Sequence, residues 1–563
     1  GAGAGAVRPM SRVRHALGPS PRAFCFSSRA RAGGALLAGL ALVGLSACTP
    51  RLPPADLTVI NGAEPESLDP ALALSIEDLR VTQPLFEGLT RNDPVTAAPV
   101  PGLAERWDLS TDGRTYRFYL RTNAVWSTGE PITASDVAWS WQRVLDPRTG
   151  AGYASQLFFV ENAEAWHTGR LRDPAQLGFR ALDPHRFEVR LRQPTPFFLD
   201  LCAFPTLAVV PRAVIERLGE QWIRARPLPA SGPYQLEFWR LNDRVRLRKN
   251  PRYWDAPHTA LEVVDLLTIA NPTTAFNLYE TGRADVIWDR NLVPAELLDL
   301  LRARPDCHRF DLLAVYFVRC NTTRPPLDDP RVRRALSLAI DRRRIVERIT
   351  RGGEQPAAGL VPPGTAHHQP VEAVRFDPES ARRLLAEAGY PGGAGLRPLR
   401  YLYWTAGAGT GQEHAKIAVE LRALWAQVLG VRVDLDNREK RVFIAAQRGL
   451  DYDLSQSSWV GDYNDPNTFL DLFLSGNGNN RTGWADAAYD ALLARANAEP
   501  DPRRRAALLA EAEQRLVGEA AVVAPVYFSS GFHFFRPDRI SGIHPNLLDV
   551  HPLNAVRKVP PRP

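Results

Sequence analysis

Short strands with apolar residues at every second position alternate along this chain with helices that carry one apolar face. The stretch 115–120 (TYRFYL) and the stretch 186–192 (RFEVRLR) both show a period of two, which predicts strands with one buried face. An apolar run at 57–60 predicts the first strand after the N-terminal region. The alternation contains no repeat of fixed period, so a solenoid is not predicted.

Three helix starts are marked by residues that satisfy free backbone amides. Thr133 with Asp136 three residues later has the spacing of a capping box. Asp329-Pro330 and Asp377-Pro378 each place proline at the first helical position after a capping carboxylate. Together with the strands, these helices predict an α/β protein, and a hydrophobic content of 45% provides for a large core.

The N-terminal region has the layout of an export signal. A basic, polar segment ends at Arg31 and precedes the apolar run Ala35–Leu45, which is shorter than the roughly 20 apolar residues of a membrane-spanning helix. Small residues directly before Cys48 resemble a bacterial lipobox. This resemblance implies a signal peptide over 1–47, with room for an upstream extension before Met10, and a lipid on Cys48. The alternative is a plain signal peptide with an incidental cysteine.

The net charge of +7 does not predict a nucleic-acid partner. Six arginines precede Cys48, and no acidic residue does. Subtracting these six from the 69 basic residues leaves 63 against 62 acidic ones, so the body after Cys48 is nearly neutral. We therefore expect no nucleic acid among the partners.

Sequence signatures of catalysis and of cofactor binding are absent. The chain has no His-Glu-x-x-His, Gly-x-Ser-x-Gly or Gly-x4-Gly-Lys-Ser/Thr segment. Gly407, Gly409 and Gly411 resemble the start of a dinucleotide fingerprint, but Gln412 stands where that fingerprint needs glycine. We therefore expect no enzymatic activity, no cofactor and no metal site.

Cys202, Cys307 and Cys320 are the cysteines that follow Cys48. An odd number leaves at least one thiol free or in an intermolecular bond, and the spacings match no zinc or redox motif. A Cys202–Cys307 disulfide and a Cys307–Cys320 disulfide are both open alternatives for an exported protein.

Many short segments, in a fixed order along the chain, resemble one protein family. They are AEPESLDP at 63–70, LFEGL at 85–89, AVWS at 124–127, EPITASDV at 130–137, SWQR at 140–143, SGPY at 231–234, NPRYW at 250–254, DPRVRRAL at 329–336, AEAGY at 386–390, the stretch 459–470 and PVY at 525–527. Their order and spacing resemble the peptide/nickel-binding family (family 5) of bacterial solute-binding proteins, closest to the oligopeptide-binding members of ABC importers. The resemblance implies a two-lobed periplasmic-binding-protein fold (class II-like, cluster C) with a ligand cleft between the lobes.

The same resemblance implies how the chain divides into domains. Residues 48–55 would be the lipidated cysteine and a linker. Lobe I would comprise 53–88, 213–313 and 530–563, an extra inserted domain 89–212, and lobe II 314–529. Hinge strands are then expected near 313–318 and 528–531.

Ligand-binding roles are implied around the stretch 457–466. This stretch is rich in Gly, Asn, Asp and Pro, which predicts a loop after a strand at 452–454. Asp462 matches the carboxylate that binds a peptide's α-ammonium, where a charge-assisted hydrogen bond offsets the lost hydration. Trp459 matches a residue of a side-chain pocket, and Tyr153 matches another residue of the cleft.

Backbone pairing is a second expected contribution to ligand binding. The resemblance implies that Val460 and Gly461, together with 315–321, pair with an extended peptide as added strands. Tyr527 is expected near the hinge and the cleft.

The chain departs from its relatives where they bind the peptide carboxylate. Gln456 stands where oligopeptide-binding relatives often carry an arginine. Lys440, which lies near the position of a pocket tryptophan in the relatives, is one alternative partner for that carboxylate, and Arg448 and His414 are the others.

The sequence therefore predicts a monomeric solute-binding lipoprotein of the periplasm or cell envelope. It would capture oligopeptides by closure of two lobes, deliver them to the membrane subunits of an ABC permease, and contact the membrane through the lipid on Cys48. One alternative keeps the fold but changes the ligand to a murein peptide, a metal chelate, heme or a sugar. Another is a sensor, adhesin or chaperone without a transport role.

Overall fold

The computed structural model describes residues 52–405 and 410–560. The predicted signal peptide, Cys48, Gly407 and Gly409 lie outside these described residues. No helix in the described part of the chain combines the length and the hydropathy needed to cross a lipid bilayer.

Strands occur from the beginning to the end of the described chain. They are β1 (Leu57–Gly62), β2 (Thr90–Asn92), β3 (Pro99–Pro101), β4 (Ala104–Leu109), β5 (Thr115–Leu120), β6 (Phe179–Asp183), β7 (Arg186–Arg190), β8 (Tyr234–Arg240), β9 (Arg244–Lys249), β10 (Val263–Thr268), β11 (Val286–Ile287), β12 (Cys307–Cys320), β13 (Gln355–Pro356), β14 (Leu399–Trp404), β15 (Val433–Arg438), β16 (Leu454–Val460), β17 (Val523–Phe535), β18 (Ile540–Ser541) and β19 (Arg557–Lys558).

Helices lie between these strands, and short 3₁₀ and π turns continue several of them. They are α1 (Ile76–Leu85), α2 (Ala134–Leu145), α3 (Ala163–His167), α4 (Phe198–Ala203), α5 (Arg212–Leu218), α6 (Pro272–Glu280), α7 (Leu298–Leu301), α8 (Pro330–Leu338), α9 (Arg342–Ile345), α10 (Pro378–Glu387), α11 (Thr410–Leu429), α12 (Lys440–Arg448), α13 (Asn467–Leu470), α14 (Ala487–Ala498) and α15 (Pro502–Glu513).

The locally predicted elements are confirmed. Strand β5 covers the predicted stretch 115–120, and β1 and β7 begin at the predicted residues. The capping box of Thr133 and Asp136 is formed at the start of α2. Prolines occupy the first turns of α8 and α10 after the predicted caps Asp329 and Asp377.

One large mixed sheet runs through the molecule in the order β15-β14-β16-β12-β17-β11-β1-β10-β9-β8, with β13 paired to β17. Strands β12 and β17 are antiparallel neighbours in the middle of this sheet and join the strands on either side of them. At one end β17 pairs with β11, and at the other β12 pairs with β16. The pairing of β12 with β17 shifts register between Asp311 and Val315, which overlaps the start of the predicted hinge segment 313–318.

The prediction that the backbone of 315–321 pairs with a ligand is wrong. Residues Val315–Arg319 have β16 on one side and β17 on the other, and the amide of Asn321 donates to the carbonyl of Asp453. A strand with a neighbour on each side has no free edge for an added strand.

A separate four-stranded antiparallel sheet has the order β4-β5-β7-β6. Helix α2 packs on this sheet, with Trp141 buried edge-on against Phe179 and Phe187. The resulting core draws nearly all of its residues from 71–209, and Tyr463 joins it from a distant part of the sequence. Other buried clusters combine residues of 57–86 with 208–288 and 535–556, and residues of 313–374 with 469–528.

The cysteines in the described part of the chain are not paired. Cys202, Cys307 and Cys320 are free thiols, so neither disulfide left open by the sequence is formed. Cys307 and Cys320 are the two ends of β12, about 40 Å apart at the rise of an extended strand, which excludes a bond between them.

Candidate ligand-binding cavity

A cavity of about 1010 Å³ lies where several chain segments meet. Its walls come from five parts of the sequence, within 74–100, 153–205, 233–288, 459–463 and 548–557. This volume is at the upper end of the roughly 300–1,000 Å³ of small-molecule sites. The cavity therefore has room for a solute larger than a single amino acid.

Asp462 lies in the wall of this cavity, just beyond the end of β16. The amide of Gly461 donates to the carbonyl of Leu313 (2.7 Å), and the amide of Asp462 donates to Thr468 Oγ1 (3.2 Å). The backbone is thus held while the carboxylate has no hydrogen-bond or ion-pair partner among the described residues. Burial raises the pKa of Asp462 to about 6, because lost hydration disfavours the ionised form.

A buried ion pair fixes the chain just after Asp462. Arg505 on α15 donates to both carboxylate oxygens of Asp465 at 2.6 and 2.8 Å, and both side chains are almost fully buried. Asp465 also accepts a hydrogen bond from the amide of Asn467. This arrangement anchors the turn that presents Asp462 to the cavity.

Aromatic side chains form the neighbouring wall. Tyr153 packs edge-on against Phe204 with ring centroids 5.0 Å apart, and both line the cavity. Burial, with a smaller contribution from the charge of Asp462, raises the pKa of Tyr153. Trp459 also lines the cavity, and its indole nitrogen is buried without a hydrogen-bond partner in the structure.

The prediction of a loop over 457–466 is wrong in its first half. Strand β16 continues to Val460 and pairs with Ala314–Cys320 of β12. The first serines of this polar stretch are accommodated in the sheet, and only the part from Gly461 onward is irregular. Trp459 and Val460 therefore reach the cavity from a strand rather than from a loop.

The predicted site residues fall into two groups. Asp462, Trp459, Gly461, Val460 and Tyr153 all line the cavity. The remaining predicted residues, which are Gln456, His414, Lys440 and Tyr527, do not belong to its lining.

The second group lies together around Trp404, His414 and Tyr316. Gln456 is buried, and its amide nitrogen is 3.5 Å from Nε2 of His414. The ring of His414 packs against Trp404 with centroids 5.1 Å apart, and Lys440 Nζ lies 5.1 Å from the centroid of the Trp404 ring. Tyr527 stacks on Tyr316 nearby. The alternative Arg448 is exposed on the last turn of α12.

Several cavity residues were not predicted from the sequence. Arg80, Trp288, Asp200 and Glu87 all line it. Burial raises the pKa of Asp200 to about 7 and that of Glu87 to about 6. These residues belong to no motif of ligand binding, and only the folded topology brings them to one wall.

Comparison with known proteins identifies the family. The profile described as "Bacterial extracellular solute-binding proteins, family 5 Middle" matches residues 98–481. The periplasmic oligopeptide-binding protein OppA of Salmonella typhimurium is 36% identical over 489 residues, which is 85% of this chain and 88% of OppA.

Two solved structures show the same fold. The murein tripeptide-binding protein MppA of Escherichia coli is 33% identical with a TM-score of 0.73, over 89% of this chain and 98% of MppA. Haemophilus influenzae OppA in complex with the peptide RPPGFSPFR is 30% identical with a TM-score of 0.71, over 89% of this chain and 98% of the other. The two-lobed α/β solute-binding fold predicted from the sequence is confirmed, and the chain belongs to family 5 of the bacterial extracellular solute-binding proteins.

Proposed function

We propose that this protein captures oligopeptides in the cavity beside Asp462 and delivers them to an ABC permease in the cell envelope. Membership in a family of solute-binding proteins makes the chain a binding protein rather than an enzyme. The relatives whose names specify oligopeptide binding match over most of the chain, and this similarity motivates the class of ligand.

The observation that carries the proposal is the unpaired carboxylate of Asp462. It faces the cavity, is largely buried, and has no cation beside it among the described residues. A buried carboxylate without a partner costs free energy, and a ligand ammonium group would offset that cost with a charge-assisted hydrogen bond. The site is therefore complementary to the free α-amine of a peptide.

The outer edge of β16 supports the extended form of the ligand. Strand β16 pairs with β12 along its whole length, but β14 reaches only Leu454 and Ser455 on the other edge. From Gln456 to Val460, that second edge has no strand neighbour in the described chain. A peptide that enters the cavity next to Trp459 can add to this edge through its backbone, which gives affinity with little sequence preference.

We propose the domain division stated above, with lobe I at 53–88, 213–313 and 530–563, the extra domain at 89–212, and lobe II at 314–529. The separate buried cores of the molecule are consistent with these bounds. Strands β12 and β17 would serve as the hinge, and a ligand held by both lobes would favour the closed form.

Export and anchoring complete the proposal. We place the protein in the periplasm or on the cell envelope, as the names of the relatives suggest, with a lipid on Cys48 and a monomeric body. The predicted carboxylate partners Lys440, Arg448 and His414, and the roles of Gln456 and Tyr527, remain proposals for the second end of the ligand.

The test compares peptides with and without a free amine. Isothermal titration of the protein with a mixed set of short peptides should give saturable binding, and N-acetylated copies should bind at least about 30-fold more weakly. Asp462→Asn should lose this discrimination, while Asp434→Asn, which changes an exposed carboxylate, should keep it.

Native mass spectrometry of the protein as purified is an independent test, because it identifies the ligands that co-purify with the protein. A series of co-purified short peptides, lost in Asp462→Asn, is the expected result. A single non-peptide mass that survives this substitution, or equal binding of blocked and free peptides, would contradict the proposal and leave the family assignment intact.

A further inference from the structure

A cluster of two histidines and one aspartate lies beside the cavity. One ligand atom of each of His533, Asp549 and His551 lies within 4.8 Å of the other two. Nε2 of His533 and Nε2 of His551 are each 2.8 Å from the same oxygen, Oδ1 of Asp549. No metal site was predicted from the sequence, and these three residues form no recognisable motif along the chain.

Each member of the cluster is held in place by its surroundings. His533 is fixed in β17 opposite His308 of β12, and its ring packs on Phe310 with centroids 4.0 Å apart. His551 packs against Trp288, with centroids 5.9 Å apart. The side chains of both histidines are less than 5% exposed, so the rings are held in position before any ion binds.

A side-chain turn positions the other two ligands. Asn546 Oδ1 accepts from the amide of Val550, and its amide nitrogen donates to the carbonyl of Val550. Asp549, inside this turn, has a φ of +54°, a left-handed conformation that aspartate tolerates better than most residues. The turn brings Asp549 and His551 to the same side, facing His533.

The contact between His533 and Asp549 is not a satisfied hydrogen bond. Despite the 2.8 Å separation, Nε2 of His533 has no partner with hydrogen-bond geometry. A buried ring nitrogen is normally paired, so Nε2 of His533 is an unsatisfied polar atom next to a carboxylate oxygen. A cation shared by both atoms would satisfy this nitrogen, because a neutral imidazole and a carboxylate both donate lone pairs to a metal.

The positive charge of Arg80 lies near one oxygen of the Asp549 carboxylate, Oδ2, and leaves the other oxygen, Oδ1, for a cation. Arg80 lies 4.0 Å from Oδ2 of Asp549 and donates to the carbonyls of Trp288 and Asn61. Its guanidinium therefore faces Oδ2, while both imidazoles face Oδ1. Arg80 lowers the affinity for a cation through repulsion, but it also fixes the orientation of the carboxylate.

From this geometry, we propose that His533, Asp549 and His551 bind one divalent transition-metal ion of the zinc type. Two imidazoles and one carboxylate match the ligands of three-ligand zinc sites. Asp549 and His551 also line the cavity, so the fourth coordination position opens toward it and is available to water or to a donor atom of a solute.

Equilibrium dialysis of the full chain against ZnCl₂, after removal of metal with EDTA, tests the proposal. One zinc ion per chain is expected in the wild type. His551→Gln should lower the affinity by at least about 100-fold, since it removes one of three ligands. His258→Gln changes an exposed histidine that also lines the cavity beside a carboxylate, Asp255, and should stay within two-fold of the wild type. Equal affinity in both variants, or the absence of saturable binding in the wild type, would overturn the site.

X-ray absorption at the zinc edge of the loaded wild type gives a result that does not depend on the folding of a variant. Two imidazole ligands with oxygen in the remaining positions are expected. A sulfur ligand would assign the zinc to cysteines and overturn the proposal. Asp462→Asn should retain zinc, which separates this site from the proposed peptide site.

Discussion

Tyr463 and Phe197 stack face to face with ring centroids 4.1 Å apart and an angle of 7° between the planes. Tyr463 follows the cavity residue Asp462, whereas Phe197 belongs to the core built from residues 71–209. The stack therefore connects the turn that carries Asp462 to a part of the molecule that is distant in sequence, and it couples the position of Asp462 to that core.

The first prediction concerns this stack. Phe197→Leu and Tyr463→Leu should each destabilise the protein, and the double variant should lose less than the sum of the two. We expect a coupling of about 0.5–1.5 kcal/mol, as found for aromatic pairs. Denaturant unfolding of the four proteins measures it, and strictly additive losses would show that the two rings act independently.

The second prediction concerns the pH dependence of peptide binding. The pKa of Asp462 is about 6, so the carboxylate is about nine-tenths ionised at pH 7 and about one-tenth at pH 5. Because the ammonium of a peptide needs the ionised form, affinity should fall about ten-fold between pH 7 and pH 5. Titration calorimetry at both values gives the ratio.

Glu87, Asp200 and Asp471 also have raised pKa values of about 6 to 7, so a control has to separate them from Asp462. Asp462→Asn should show weak binding with little change over this range. If its affinity still falls ten-fold toward pH 5, another carboxylate is responsible.

The third prediction concerns the stability of the ligand-free protein. The folded-state pKa of Asp462 exceeds the ordinary value of 3.8, so the folded protein holds this proton more tightly than the unfolded chain. Stability is therefore lost as the pH rises from about 4 to about 6, by about 1–3 kcal/mol in total. Asp462→Asn removes this cost, and its unfolding midpoint in urea should exceed that of the wild type at pH 7.5 but match it near pH 4. An equal or lower midpoint at pH 7.5 would show that the carboxylate is not strained there.

The parts of the fold that could be predicted are those fixed by near neighbours in sequence. Asp329 and Asp377 accept hydrogen bonds from amides two and three residues later, and Asp136 accepts one from the amide of Thr133 three residues earlier. The sequence signals for these helix starts are therefore local. The strand over 457–460 could not be predicted, since its serines and tryptophan are held by pairing with β12, about 140 residues earlier.

The same reason limits prediction of the cavity. Asp462 and Trp459 were found because their local sequence resembles a family motif. Arg80 and Trp288 reach the cavity only through the topology of the large sheet. Gln456 was predicted in the same site as Asp462 and Trp459, but its buried side chain lies next to His414 and does not line the cavity.

The fourth prediction concerns the ion pair behind the site. Arg505→Met leaves the buried carboxylate of Asp465 without its partner, which should cost about 3–5 kcal/mol of stability. Arg504→Met, on the exposed face of the same helix, should change stability by less than about 0.5 kcal/mol. Thermal or denaturant unfolding compares the two variants, and similar midpoints would argue that Asp465 is compensated by water.

The last prediction concerns Gly461, which joins β16 to Asp462. A Cβ at this position would lie 2.5 Å from Cδ2 and 2.7 Å from Cγ of Leu313, and 3.0 Å from Cγ2 of Thr468. Gly461→Ala therefore has to move either the Leu313 side chain or the turn itself, at a cost of about 1–3 kcal/mol. Because the amide of Gly461 donates to the carbonyl of Leu313 and the amide of Asp462 donates to Thr468, the movement should displace the carboxylate and weaken peptide binding more than ten-fold.

Gly478→Ala, where a Cβ meets open space, is the matched control for calorimetric titration with the same peptide. Wild-type affinity in Gly461→Ala would mean that the Leu313 side chain moves instead and that the turn carrying Asp462 is not displaced.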